Sequence, residues 1–289
     1  MLSLPLLSEL AHERLPSGLA DRFCSLLEPR GQILTAARPG DEHVGALGGE
    51  PRLPEAVEWP VWEGHGPLSF VASLDCGRLS AAATGLALPA DGTLLFFYFD
   101  GQADEYASWV SPSNPESRPG SRILYVPADT PVLPRPAPAP LKPYRRVPLR
   151  ADPTVDLPQL TDPELHIPLG LDYETVSTDP VYVDFQDAVW SLRRVHHRVG
   201  GEPDNIQGEV EYEVADFPDD WDLDEFDPDN PHYDDILAEA ARWRLLLQIA
   251  SDDDAGMLWG DGGALYWLID PEDLAAGRFD QARFTWQCH

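Results

Sequence analysis

Basic residues are scarce in this sequence. Twenty Lys and Arg face fifty Asp and Glu, for a formal charge of −30 at pH 7 and a pI near 4.3. Such a surface repels nucleic acid and anionic membranes, so partners of those classes are not expected; a basic protein, a cation or simple solubility suits it. Cysteine is scarce too. Cys24, Cys76 and Cys288 form an odd set without metal-ligand spacing, which suggests a reducing compartment and predicts a cytoplasmic location. No apolar run approaches the roughly 18 residues of a membrane span. Met1–Leu10 lacks a basic leader region and carries Glu9, so no signal peptide is expected. Also missing are a G-x-S-x-G elbow, a Walker phosphate loop, a G-x-G-x-x-G turn after a strand, H-E-x-x-H and paired C-x-x-C. Their absence argues against a standard hydrolase, kinase or dehydrogenase.

What is present is a globular composition, with 43% apolar and 10% aromatic residues over 289 positions. Two passages repeat one order. Leu47-Gly48-Gly49-Glu50-Pro51 precedes the apolar run Pro67–Asp75, and Gly92 then opens the aromatic run Thr93–Asp100. Val199-Gly200-Gly201-Glu202-Pro203 likewise precedes Leu245–Asp252, and Gly263 opens Ala264–Asp270. This order predicts an α+β fold, internally duplicated, with two related and mainly antiparallel sheet halves, peripheral helices and an N-terminal helix.

Four segments carry a family likeness: Leu47–Pro54 with Trp59-Pro60, His197–Gly208, Leu245–Asp254 with Trp259-Gly260-Asp261, and Asp273–Gln287. On these the chain resembles the YwqG-like bacterial family, a domain of unknown function. The resemblance implies a fold and a pocket region but no reaction. The family's first apolar run often reads Ala-Gln-Ile-Asp, where this chain has Ala72-Ser73-Leu74-Asp75; the second run keeps Gln248.

One domain over 1–289 is expected. It comprises an N-terminal helical segment 1–44, a first half-unit 45–126, a proline-rich basic strap 127–150 and a second half-unit 151–289 with an acidic loop 202–239. Within this frame Leu2–Glu28 reads as helical, stopped by Pro29 and Gly31. Gln32–Ala37, Pro67–Asp75, Thr93–Asp100, Ser121–Pro127, Leu245–Ala250, Gly263–Ile269 and Gln281–Trp286 read as strands, several with apolar runs suited to burial on both faces. Asp184–Arg194 and Asp234–Arg244 read as helices. Asp270 suits an N-cap, with Pro271 at the first helical position. The strap holds Arg135, Lys142, Arg145, Arg146 and Arg150, and its prolines suggest an extended surface linker.

Candidate ligand-binding residues are His197, Asn205, Gln207, Gln248, Asp252, Asp254, Trp259 and Asp261. The His197 imidazole offers an acid or base, Asn205 and Gln207 offer polar edges, and the carboxylates cluster beyond a core strand. The same residues suit structural work, with the amides and carboxylates satisfying turn backbone. No catalytic residue is assigned and no cofactor is expected. A divalent cation at the Asp252–Asp261 carboxylates is the one exception considered. Asp220, Asp222 and Asp224 alternate as a calcium loop does, but Glu225 and Pro231 occupy its glycine and closing acidic positions, which excludes an EF-hand.

From Val199 to Ala241 there is no Lys or Arg, and sixteen Asp or Glu occur. Aromatic anchors embedded there suggest a docking surface for a basic protein partner, of immunity or inhibitor type, through Asp219, Asp220, Trp221, Asp222, Asp224 and Phe226. The alternative is an enzyme or a small-ligand or divalent-cation receptor using a cleft between the halves. A third reading pairs the acidic block with the basic strap inside one molecule.

Overall fold

The computed structural model describes residues 3–79, 84–156, 158–161, 163–218, 221 and 230–289. Its strands are β1 (Gln32–Ala36), β2 (Gly45–Leu47), β3 (Arg52–Leu53), β4 (Val61–Trp62), β5 (Gly66–Pro67), β6 (Ser69–Asp75), β7 (Thr93–Tyr98), β8 (Ser121–Val126), β9 (Leu133–Pro134), β10 (Val147–Pro153), β11 (His197–Val199), β12 (Arg244–Ala250), β13 (Ala264–Ile269) and β14 (Arg283–Gln287). Ten of them form one sheet in the order β14-β13-β12-β11-β1-β10-β2-β6-β7-β8. Every pairing in it is antiparallel.

The sheet curls until its edges nearly meet. Trp267 Nε1 on β13 donates to Ser121 Oγ on β8 at 2.8 Å, and Tyr98 stacks on Phe284 at 4.7 Å. Strand β13 shows why the apolar runs do not alternate. Leu265, Trp267 and Ile269 enter the large core enclosed by the sheet, whereas Ala264, Tyr266 and Leu268 join Val210, Val214 and Trp243 in a smaller cluster on the other face. Successive side chains point to opposite faces, and here both faces are covered. A third cluster packs the helices Leu4–Arg14 and Ser17–Leu26 against Pro163–Leu169, Tyr173–Thr178 and Pro180–Trp190, with Phe23 edge-on to Phe185 at 5.2 Å.

Three expectations need correction. Leu2–Glu28 is two helices, because Pro16 forces Leu15 into extended backbone (ψ 154°) and breaks the run. The end of the strap is no surface linker: Val147–Pro153 is β10, near the middle of the sheet, with Leu149 fully buried. Pro148 falls at the start of β10, just past the end of β1, where its carbonyl accepts from Ala37 N–H at 2.8 Å. The second half's helix begins at Pro180 rather than Asp184, capped by Asp179. Each Gly-Gly pair is a true left-handed turn after a short strand. At Gly200 (φ +64°) a Cβ would meet the Thr84 carbonyl oxygen at 2.1 Å, so no other residue fits.

Candidate functional site

The phrase after β11 is built into the fold by buried amides. Gln248 is fully buried; its Oε1 accepts from Asp204 N–H at 2.8 Å, and its Nε2 donates to the His196 carbonyl at 2.8 Å and to Asp204 Oδ2 at 3.1 Å. Gln287, also fully buried, accepts from Ile206 and Gln207 N–H and donates to the Gly208 carbonyl. Asn205 Oδ1 accepts from Val210 N–H at 3.3 Å, while the Gln207 side chain is exposed. Burial alone would push the Asp204 carboxyl up. The hydrogen bond from His196 and the Arg198 guanidinium at 3.3 Å outweigh it and hold Asp204 below its ordinary range.

His197 is held at both nitrogens. Its Nδ1 accepts from Ala250 N–H at 3.0 Å, so Nε2 carries the proton and donates to Asp252 at 3.2 Å. That bond and the Ala255 amide keep Asp252 below the usual carboxylate range. Asp254 and Asp261 are exposed on the following loop. Among the described residues no group of three or more His, Cys, Asp or Glu is placed to hold a metal ion. Asp219, Asp220, Asp222, Asp224 and Phe226 lie outside the described residues; Trp221 stacks on His232 at 4.3 Å. Among the described residues Arg135 and Arg145 of the strap hold main-chain carbonyls, and Arg150 pairs with Asp41 and Asp152 rather than with the acidic block.

A cavity of about 620 Å³ opens where three segments converge: the end of β7, the strap before β10 and the loop after β12. Of the eight candidate ligand residues, only Trp259 lines it. Trp259 is buried, with Nε1 donating to the Ala250 carbonyl at 3.3 Å, and it meets Tyr98 and Tyr144 edge-on. Asp100 anchors the adjoining part of the wall. It accepts from the Tyr144 hydroxyl at 2.5 Å, from Gln102 Nε2 at 2.7 Å and from Gln102 N–H at 3.1 Å. Burial, then the Asp100 charge, pushes the Tyr144 hydroxyl far above its ordinary value, so it stays a donor.

Tyr106, Trp109 and Leu258 form an apolar rim, exposed by 74%, 65% and 70%. Glu105 and Tyr106 sit at φ +57° and +65°, a conformation that L-residues adopt at a cost and that recurs at binding sites. Ser108 also lines the cavity and bonds His65 Nδ1 at 3.0 Å. Among the described residues no carboxylate is bonded to that histidine, so no triad is complete. The Cys76 thiol is buried beside Asp75 and pushed up to about 12, mainly by burial, which leaves it inert.

A family model described as a domain of unknown function, DUF1963, matches residues 46–288. The chain belongs to the DUF1963 family. The matched region begins within β2 and runs through β14, so it takes in every segment that builds the DUF1963 cavity. Among curated proteins nothing matches the chain.

The sequence reading missed Asp100, Gln102, Lys142, Tyr144, Arg145 and Trp286, which line this DUF1963 cavity. One signal was present: Lys142 is the only lysine among the 289 residues. No helix is long and apolar enough to cross a membrane among the described residues.

Proposed function

We propose that this DUF1963 protein is a small-molecule receptor whose ligand occupies the cavity between β7, the Lys142–Arg145 segment and the Ala255–Gly260 loop. The observation that carries this reading is the lining itself: an aromatic wall with a few fixed polar groups, the usual make-up of a ligand site. The bonds that fix His197, Gln248 and Asp204 support a structural role for the second Gly-Gly-Glu-Pro phrase, which leaves recognition to the cavity. Binding rather than acyl transfer is favoured because Ser108 and His65 lack a carboxylate partner. A thermal-shift screen of metabolites tests the proposal. Hits are expected to lose their shift in Leu258→Trp, which narrows the mouth without adding charge. Hits that persist in that variant, or ester hydrolysis that disappears in Ser108→Ala, would contradict it.

The acidic segment 202–239 supports a second reading, docking of a basic protein, and the charge of −30 and the stacked Trp221 favour it. Neutralising Asp219, Asp220, Asp222 and Asp224 together must then abolish salt-sensitive retention of that partner.

Two finer assignments accompany these readings. The strand order supports an internal duplication: β2, β6, β7 and β8 occupy the places on one side of the β1–β10 pair that β11, β12, β13 and β14 occupy on the other. The quoted phrases support a YwqG-like placement, and three free thiols support a cytoplasmic location.

A further inference from the structure

The cavity departs from the rest of the chain in charge. Acidic residues outnumber basic ones fifty to twenty over the sequence, yet the lining holds two cations, Lys142 and Arg145, and one carboxylate, Asp100. That carboxylate is already spent on the wall, with its two oxygens taking three donors from Tyr144 and Gln102. Among the described residues neither cation has a carboxylate within ion-pair distance. Arg145 donates through Nε to the Asp254 carbonyl at 2.6 Å and through Nη2 to the Asp253 carbonyl; these acceptors are neutral and position the guanidinium without discharging it. Lys142 bonds Gln102 only through its main chain, and its ammonium has no polar partner among the described residues.

Arg198 and Arg242, by contrast, meet carboxylates, at Asp156 and Asp270. In so negative a molecule, two uncompensated cations at one mouth create a local positive field where an anion is held against the general repulsion. The lining is also aromatic. Seven of its nineteen residues are Phe, Tyr or Trp, against 10% of the chain. Trp259 and Trp286 have their indole N–H groups bonded to the Ala250 and Val110 carbonyls, so their rings contribute apolar surface rather than a donor.

We infer that the cavity takes an aromatic or similarly flat apolar ligand bearing an anionic group, with the ring against Trp259 and Trp286 and the anion at Lys142 and Arg145. This rests on the receptor reading above and narrows it to one ligand class. Arg145 is fixed by its two carbonyl bonds and receives the anion in place. Lys142 is exposed and unpaired, and swings to meet it. The rim residues Tyr106 and Trp109 then cover the ring.

Two fluorescent probes that differ by one anionic group test this: anilinonaphthalene sulfonate and its neutral parent phenylnaphthylamine, titrated into the full-length protein. The sulfonate is expected to bind about tenfold tighter than the parent, and Lys142→Glu is expected to bring the two within about twofold without moving the parent's affinity. Lys142 makes no side-chain bond that the fold needs; Arg145→Lys gives a second, independent variant that keeps the charge and loses the paired carbonyl contacts. Equal affinities in the wild type overturn the anionic class while the receptor reading stands. So does a preference for the sulfonate that survives Lys142→Glu. If Trp109→Ala leaves the binding of both probes unchanged, the cavity is not the site, and both readings fall.

Discussion

Tyr144 donates its hydroxyl hydrogen to Asp100 across 2.5 Å, tying the strap to the end of β7. The cavity wall therefore depends on a contact between residues far apart in the chain. Tyr144→Phe removes one of the three donors to Asp100. It should lower stability by about 1–2 kcal/mol in urea unfolding and weaken any ligand that shifts the wild-type melting temperature. An unchanged midpoint would mean that Gln102 alone satisfies Asp100.

Gln207, beside the glycine turn, and Gln248, in the second apolar run, were both candidates, but the structure gives them different work. Gln248→Met leaves the Asp204 N–H and the His196 carbonyl without their buried partner, and the expected loss is about 2–4 kcal/mol. Gln207→Ala, at an exposed side chain, should stay within about 0.5 kcal/mol of the wild type. Chemical denaturation of both variants checks the contrast.

Acid should unfold this protein partly through Asp204 and Asp252. Both carboxyls lie below their ordinary value of 3.8 in the folded chain. A depressed folded pKa contributes stability that is present above the unfolded value and lost as pH falls through the folded one, so the loss begins below about pH 4. Asp204→Asn should lower the melting temperature at pH 7 and flatten its dependence between pH 4 and pH 2, taking about 4 and 2 as the window edges.

Glu211 behaves in the opposite sense. Burial, then the neighbouring Glu209 and Glu202, raises its carboxyl from 4.5 to about 7. A raised folded pKa gives stability that is complete below the unfolded value and lost as pH rises through the folded one. Glu211→Gln should therefore stabilise the protein at alkaline pH, by about 2 kcal/mol, with the gain fading toward pH 5, about where the unfolded carboxyl titrates. Melting curves across that range give the answer, and a gain that does not vary with pH would contradict it.

Much of the sheet was legible because its signals are local. The runs at β6, β7, β12 and β13 are rich in apolar residues, and Gly92 and Gly263 mark the starts of β7 and β13. Asp270 and Pro271 open the helix that their chemistry predicts, with Asp270 Oδ1 accepting from Glu272 N–H at 2.8 Å. Strand β10 was hidden because proline at 148 mimics a linker, and only its pairing with β1 and β2 reveals the strand. The site was hidden for a related reason. Asp100, Tyr144 and Trp286 come together through long-range pairing, which spacing along the chain does not register. The polar phrase around His197 stood out instead because turns that pin a fold use the same residue types as sites that bind ligands.

The most direct test of the receptor account is a titration followed on the indole N–H signals of the nine tryptophans by NMR, with anilinonaphthalene sulfonate as the ligand. The account predicts that Trp109, Trp259 and Trp286, which line the cavity, shift together and saturably, while Trp190 and Trp243, which do not line it, stay in place. Shifts confined to Trp190 or Trp243, or no shift at the three cavity indoles, would contradict it.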